Sequence, residues 1–251
     1  MKVRSIVICC LAAAVAAPAF ADIRAVTPNA PDSDWAKKWW PGKFSDKAKE
    51  LKEKGGSEVI FLGDSITDFW EDNWRGKPVW DETFAAEPYK AIDLGFSGDR
   101  TEHVLYRIAN GEFDGYKAKA IVLMIGTNNT GHFPQSEEPP VDSIIGIKRV
   151  LDALHAKQPD AKIILHPIFP RSVPEQRQRN EIVNREIVKF ADGRHVVWCD
   201  INDQFTLPGG TVSKEIMPDG LHPGTFGYVL WANALKPTLD ACLKAKPGEW
   251  V

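Results

Sequence analysis

Five short apolar runs, each set apart by longer amphipathic or turn-rich stretches, constrain the fold of this chain more than any other feature of its sequence. Val59 to Leu62 reads Val-Ile-Phe-Leu, and Ala120 to Ile125 reads Ala-Ile-Val-Leu-Met-Ile. Neither alternates polar with apolar residues, which is the pattern of a strand buried on both faces. Ala91 to Leu94, Lys162 to His166 and Val196 to Asp200 are weaker runs of the same kind. Between them lie helical patterns over Glu102 to Ile108, Ser143 to Lys157 and Glu175 to Ala191, and a fourth over Gly224 to Leu243 closes the chain. In Ser143 to Lys157 the residues Ile144, Ile147, Val150, Leu151 and Leu154 recur at spacings of three and four, one face of a helix. Strands alternating with helices predict a parallel sheet covered on both sides, joined by right-handed crossovers. The expectation is one α/β domain with a five-stranded parallel sheet.

The 251 residues suit a single domain of this kind, able to bury a full core without metal or disulfide staples. The first 21 residues stand apart. Lys2 and Arg4 precede an apolar, Ala-rich stretch from Ser5 to Ala17, and Ala19-Phe20-Ala21 is a small-x-small pattern ahead of Asp22. This reads as a secretory signal peptide cleaved after Ala21, and predicts a secreted or periplasmic protein. The apolar stretch is short of the ~20 residues a membrane span needs. Cleavage removes Lys2 and Arg4 but no acid, so the formal charge moves from −3 to −5. Mild acidity argues against nucleic acid as a partner. It also leaves Cys199 and Cys242, which spacing alone allows to be either a disulfide or two buried thiols. Residues 22–56 form an expected N-terminal arm rich in Trp (Trp35, Trp39, Trp40), in which Ser45 to Lys54 has helical composition and stops at Gly55-Gly56. Residues 57–251 form the expected main domain.

Ligands of an open parallel sheet bind beyond the carboxyl ends of its strands, so the residues following each strand matter most. After the first strand comes Gly63-Asp64-Ser65-Ile66-Thr67, with Ser65 at the sheet mouth; a helix N-cap would explain the same residues. After the second comes Gly95-Phe96-Ser97-Gly98-Asp99, where Gly98 leaves its backbone N–H accessible or simply makes a turn. After the third comes Gly126-Thr127-Asn128-Asn129, where the Asn128 amide is either an oxyanion donor or an Asx-turn. Near the end comes Asp219-Gly220-Leu221-His222-Pro223. An Asp three residues before a His in a turn can hold one imidazole nitrogen and leave the other free for a hydroxyl. A capping Asp with a structural His, or a pair of metal ligands, is the alternative; no other histidine clusters with His222. Each block has an ordinary structural explanation, but all four fall on one sheet edge, and together they are the parts of an acyl-transfer site.

In this order the four blocks resemble those of the SGNH/GDSL hydrolase superfamily. The run from Leu94 to Ile108 and Gly126-Thr127-Asn128-Asn129 are similar to the platelet-activating-factor acetylhydrolase Ib catalytic-subunit branch and its exported bacterial relatives. The resemblance covers about residues 57 to 243. It departs at Asp93, where the family often has Asn. It implies a three-layer α/β/α flavodoxin-like fold, with Ser65 as nucleophile, His222 as base and Asp219 orienting His222. It implies an oxyanion hole from the Ser65 and Gly98 N–H groups and the Asn128 side chain, and neither metal nor organic cofactor. Mammalian members associate as dimers, so a homodimer is possible here.

The reading this supports is an exported serine esterase acting on short acyl esters, acetyl first, of a small molecule or polysaccharide. Trp70, Trp74 and Trp80 follow the nucleophile block and could face sugar rings, or could pack helices. A lysophospholipase or lipid acetylhydrolase is the competing enzyme, although no mature segment demands stable membrane insertion. A non-catalytic carbohydrate-binding protein on the same fold is the alternative of another class; it would need none of Ser65, Asp219 and His222.

Overall fold

Alternation of buried side chains along each strand decides how this sheet is covered. The computed structural model describes residues 23–131 and 138–251; the expected signal peptide, residues 1–21, lies outside them. The strands are β1 (Val59–Gly63), β2 (Ile92–Gly95), β3 (Ala120–Met124), β4 (Lys162–Leu165) and β5 (Val196–Trp198). Val59 and Phe61 of β1 pack in one apolar cluster with Trp70, Trp80, Phe84 and Trp231, whereas Ile60 and Leu62 pack in another with Val104, Leu105, Ile147 and Val183. β3 divides the same way, Val122 to the first cluster and Ile121 and Leu123 to the second. Two apolar faces on one strand are what its unalternating sequence predicts.

All five strands are parallel in the order β2-β1-β3-β4-β5. Helices α3 (Lys77–Thr83) and α8 (Thr225–Lys244) cover the first face, and α4 (Thr101–Ala109), α6 (Pro140–Lys157) and α7 (Pro174–Ile187) the second. The result is the three-layer α/β/α fold. Because β1 lies between β2 and β3, the chain winds one way from β1 to β2 and the other way onward to β3. That reversal opens a crevice at the carboxyl ends of β1 and β3.

The five strands lie where the apolar runs are, β5 ending at Trp198 rather than Asp200. Helix α1 (Trp40–Lys54) starts five residues before the expected Ser45. Pro41 is tolerated because first-turn N–H groups need no helical partner, and Trp40 stacks on Phe44 with ring centroids 5.4 Å apart. α1 ends at Gly55, whose left-handed φ of 69° is one glycine adopts freely. The short helices α2 (Ser65–Asp68) and α5 (Thr127–Gly131) carry no sequence periodicity and were not expected. Among the described residues no helix is long and apolar enough to cross a membrane. Cys199 and Cys242 are buried and unpaired, and burial pushes the Cys242 thiol up to about 12.

Asp93 in β2 is fully buried; its Oδ1 accepts the Gly95 N–H at 2.6 Å and its Oδ2 accepts no hydrogen bond among the described residues. Burial, reinforced by the charge of Glu71, pushes its carboxyl well above the usual range. A carboxyl that resists ionising in the fold costs stability as pH rises above its unfolded value. Asp93→Asn should therefore raise Tm at pH 8 by more than at pH 4. An equal shift at both would show that ionisation of Asp93 carries no cost.

Candidate active site

The end of β1 leaves no room for a side chain at its last residue. A Cβ on Gly63 would lie 2.2 Å from Thr67 Oγ1 and 2.4 Å from the Met124 carbonyl oxygen. Asp64 then caps α2, its Oδ1 accepting the Ile66 N–H at 3.0 Å. The N-cap is thus Asp64 and not Ser65, whose hydroxyl is left for other use. Burial, little offset by that hydrogen bond, pushes the Asp64 carboxyl up to about 7. Tyr228 of α8 donates to the Ile66 carbonyl at 2.7 Å and pins the turn to the last helix.

Across the crevice, the loop before α8 folds around Asp219. Its Oδ1 accepts the N–H groups of Leu221 at 3.0 Å and His222 at 2.7 Å, with Gly220 at a φ of 74°. Its Oδ2 lies 2.9 Å from His222 Nδ1. The other ring nitrogen, Nε2, stands 2.9 Å from Ser65 Oγ. A carboxylate at Nδ1 keeps the proton there, so Nε2 presents a lone pair to the hydroxyl. Ser65, Asp219 and His222, 157 residues apart at their extremes, thus form one continuous hydrogen-bonded chain.

The electrostatics suit that tautomer. Burial would raise the Asp219 carboxyl, but hydrogen bonds from the His222 backbone and ring and from Leu221 hold it well below the usual range. For His222 burial is the largest effect and lowers its pKa; Asp219 opposes this, and Arg75 and Arg171 add to it. Arg75 Nη2 reaches Asp219 Oδ2 at 3.1 Å, and its guanidinium lies 4.8 Å from the Phe69 ring centroid, which is itself 4.8 Å from the His222 ring. Arg75, Phe69 and the buried Arg171 escaped sequence reasoning, because nothing local marks a side chain whose partner lies far along the chain: Asp219 is 144 residues from Arg75, and Gly131 is 40 from Arg171.

The second block is tied to the first. Asp68 at the end of α2 accepts the Ser97 N–H at 2.9 Å and its hydroxyl at 2.6 Å, and pairs with Lys43 of α1. Gly98 follows with a φ of 81°, which favours glycine. Its N–H and that of Ser65 make no hydrogen bond among the described residues. Asn128 is buried, and one amide N–H donates to the Asp99 carbonyl at 2.8 Å. Its side chain therefore bonds across to the second block and does not close a local Asx-turn; its other amide N–H meets no acceptor among the described residues.

Ser65, Gly98 and His222 line one cavity of about 700 Å³, and Asn128 does not. The opposite wall comes from the N-terminal arm, which includes Trp35. A second histidine, His103, lines the cavity, but its Nδ1 accepts the Arg100 N–H at 3.2 Å. Burial and nearby arginines push its pKa down to about 3, so it stays neutral and has no free lone pair for a hydroxyl. Trp70 and Trp80 are core residues, and Trp74 is exposed but away from the cavity. Among the described residues no three His, Cys, Asp or Glu side chains gather so as to hold a metal ion.

Residues 61–230 match the model of the GDSL-like Lipase/Acylhydrolase family. The chain is 32% identical over 196 residues to platelet-activating factor acetylhydrolase IB subunit alpha1 of Pongo abelii, covering 76% of this chain and 79% of that one. It is 31% identical over 228 residues to subunit alpha2 of Rattus norvegicus, covering 90% and 94%. Its fold is similar to that of a carbohydrate esterase family 3 protein from Talaromyces cellulolyticus, with a TM-score of 0.53 at 20% identity over 74% of this chain and 97% of that one.

Proposed function

This chain belongs to the GDSL-like lipase/acylhydrolase family, and from that premise we propose that it is a serine esterase releasing short acyl groups, acetyl first, from esters carried on carbohydrate. As a carboxylic ester hydrolase it must supply a nucleophile, a proton shuttle and charge stabilisation. The observation that carries the assignment of those roles is the 2.9 Å contact of Ser65 Oγ with His222 Nε2, backed by the 2.9 Å contact of His222 Nδ1 with Asp219.

In this reading His222 takes the Ser65 proton as Oγ attacks the ester carbonyl. The oxyanion accepts hydrogen bonds from the Ser65 and Gly98 N–H groups, with the other Asn128 amide N–H as third donor. The ester C–O bond breaks as His222 returns the proton to the leaving alcohol. Water, deprotonated by His222, then attacks the acyl carbonyl, and the bond to Ser65 Oγ breaks as His222 returns the proton to the serine. Asp219 stays ionised and stabilises the imidazolium.

A histidine whose pKa lies below its ordinary 6.5 remains a working base to lower pH. The acid limb of kcat/KM should therefore have its midpoint below pH 6.5. A midpoint above 7 would show that stabilisation of the imidazolium by Asp219 outweighs burial.

The acetyl preference draws on the acetylhydrolase names of the relatives, and the carbohydrate acceptor on the arm-walled cavity and the esterase neighbour. The names of the relatives favour a second reading, a lipid acetylhydrolase. Export, with cleavage after Ala21, belongs to the same proposal; a mature N-terminus at Asp22 in a periplasmic or culture fraction is its check. The decisive comparison is acetate release from acetylated xylan, acetate release from an acetylated ether phospholipid, and fatty-acid release from lysophospholipid. Faster turnover of either lipid would replace the carbohydrate reading.

A further inference from the structure

A half-exposed tryptophan beside a catalytic pocket, outside the core and held in place by buried neighbours, needs a physical reason. Trp35 is 54% exposed, and its ring edge leans on the Trp39 ring with centroids 5.1 Å apart and planes at 63°. A Cβ placed on Gly98 would lie 3.1 Å from Trp35 Cζ3. The ring thus overhangs the very residue whose N–H is the proposed oxyanion donor, and lines the same cavity as Ser65 and His222.

The segment that carries Trp35 is fixed to the domain from both ends. Upstream, the Ala25 carbonyl accepts from Thr101 Oγ1 at 2.8 Å, and Arg24 pairs with the buried Glu102 at 3.0 Å. Downstream, Ala36 is buried and Trp40 Nε1 donates to Asp99 Oδ1 at 2.7 Å. The backbone is therefore set while more than half of the indole side chain stays exposed on the cavity wall. An open indole face stacks on flat, C–H-rich rings.

The polar residues around it decide which rings. Asp32 and Ser33 of the same segment face the cavity and offer acceptors and a donor to hydroxyl groups. Both cavity arginines are already balanced, Arg24 by Glu102 at 3.0 Å and Asp32 at 3.5 Å, Arg100 by Glu138 at 3.1 Å. A phosphate headgroup would find no surplus positive charge, whereas a neutral polyol ring fits apolar face and polar rim alike.

We propose that Trp35 is the acceptor platform of the active site, stacking the sugar ring whose acetyl ester Ser65 attacks. The arm, rather than the sheet domain, then sets acceptor preference. The proposal rests on the carbohydrate reading above, and the test separates the two. Purified mature wild type, Trp35→Ala and Trp35→Tyr are assayed on acetylated xylo-oligosaccharides and on ethyl acetate, which has no ring to stack. For Trp35→Ala the ratio of kcat/KM on the oligosaccharide to that on ethyl acetate should fall about tenfold or more, mostly through KM, and Trp35→Tyr should restore most of it. An unchanged ratio in a wild type that cleaves the oligosaccharide overturns the platform and leaves the carbohydrate reading standing. A wild type that ignores the oligosaccharide overturns the carbohydrate reading and the platform with it. Light scattering on the same samples covers the remaining explanation: a change of oligomeric state in Trp35→Ala would make the exposed ring a subunit contact and end the proposal.

Discussion

Ser65→Ala should lower kcat on p-nitrophenyl acetate by about 10⁴-fold or more while leaving the fold intact. The size of the loss follows from the geometry. Removing one oxygen takes away the hydroxyl that His222 Nε2 contacts at 2.9 Å, and with it the covalent route. The backbone donors at residues 65 and 98 survive the substitution, so residual turnover above the water reaction is expected from them. Stability should change by about 1 kcal/mol or less, because Ala fits the first turn of α2 and the cap on that helix is the Asp64 side chain. Labelling by a fluorophosphonate should vanish in parallel. Turnover within tenfold of wild type, with labelling intact, would remove Ser65 as nucleophile and leave the esterase chemistry to be placed elsewhere in the cavity.

Arg107→Met should be the most destabilising single change next to the site. Arg107 is fully buried. Its Nε donates to Asp99 at 3.0 Å, its Nη1 to both oxygens of Glu112 at 2.6 Å, and its guanidinium sits 4.1 Å from the Phe96 ring centroid. Burial pushes the Asp99 carboxyl up to about 7 even with Arg107 present, and raises that of Glu112. Without the arginine both carboxyls lose their cation in a dry interior, a loss worth about 3–5 kcal/mol, which for a chain of this length lowers Tm by on the order of 10 °C. The deficit should shrink as pH falls from 8 towards 4. Carboxyls with folded pKa values above their unfolded ones cost stability only where the unfolded chain would ionise them. Adding Asp99→Asn and Glu112→Gln to Arg107→Met should recover much of the loss at neutral pH. A Tm within 2–3 °C of wild type for Arg107→Met alone would mean less than about 1.5 kcal/mol rides on the cluster. Activity is a second readout, since the Asp99 carbonyl holds the Asn128 amide and Asp99 follows Gly98 directly.

The strands were legible because a parallel strand covered on both sides must be apolar at every position, and Val59 to Leu62 and Ala120 to Ile125 are. The long amphipathic helices were legible for the complementary reason. Helices α2 and α5 were not, since four or five residues hold no period, and the start of α1 depends on Trp40 finding Phe44 and Phe96. The motif residues could be listed because Ser65, Gly98 and Asn128 each follow a strand, where sheet geometry gathers ligand-binding groups, and because Asp219 and His222 share one turn at the start of the last helix. Their partners could not: Arg75 at Asp219, Lys43 at Asp68 and Trp35 over Gly98 are neighbours only once the chain has closed on itself. Of the three tryptophans that follow Ser65 in sequence, Trp70 and Trp80 are core residues and Trp74 is exposed away from the cavity, whereas Trp35 on the cavity wall comes from the arm.

Taken by itself, the order of residues determined the class of fold, the strand positions and the short set of side chains able to do acyl chemistry, because hydrophobic period and strand-end position are local properties. Only the tertiary structure decided the 2.9 Å contacts that join Ser65, His222 and Asp219, the commitment of one Asn128 N–H to Asp99, and the wall opposite the nucleophile. Those depend on distances between segments far apart in the chain, which are set by how two helical layers pack on one twisted sheet.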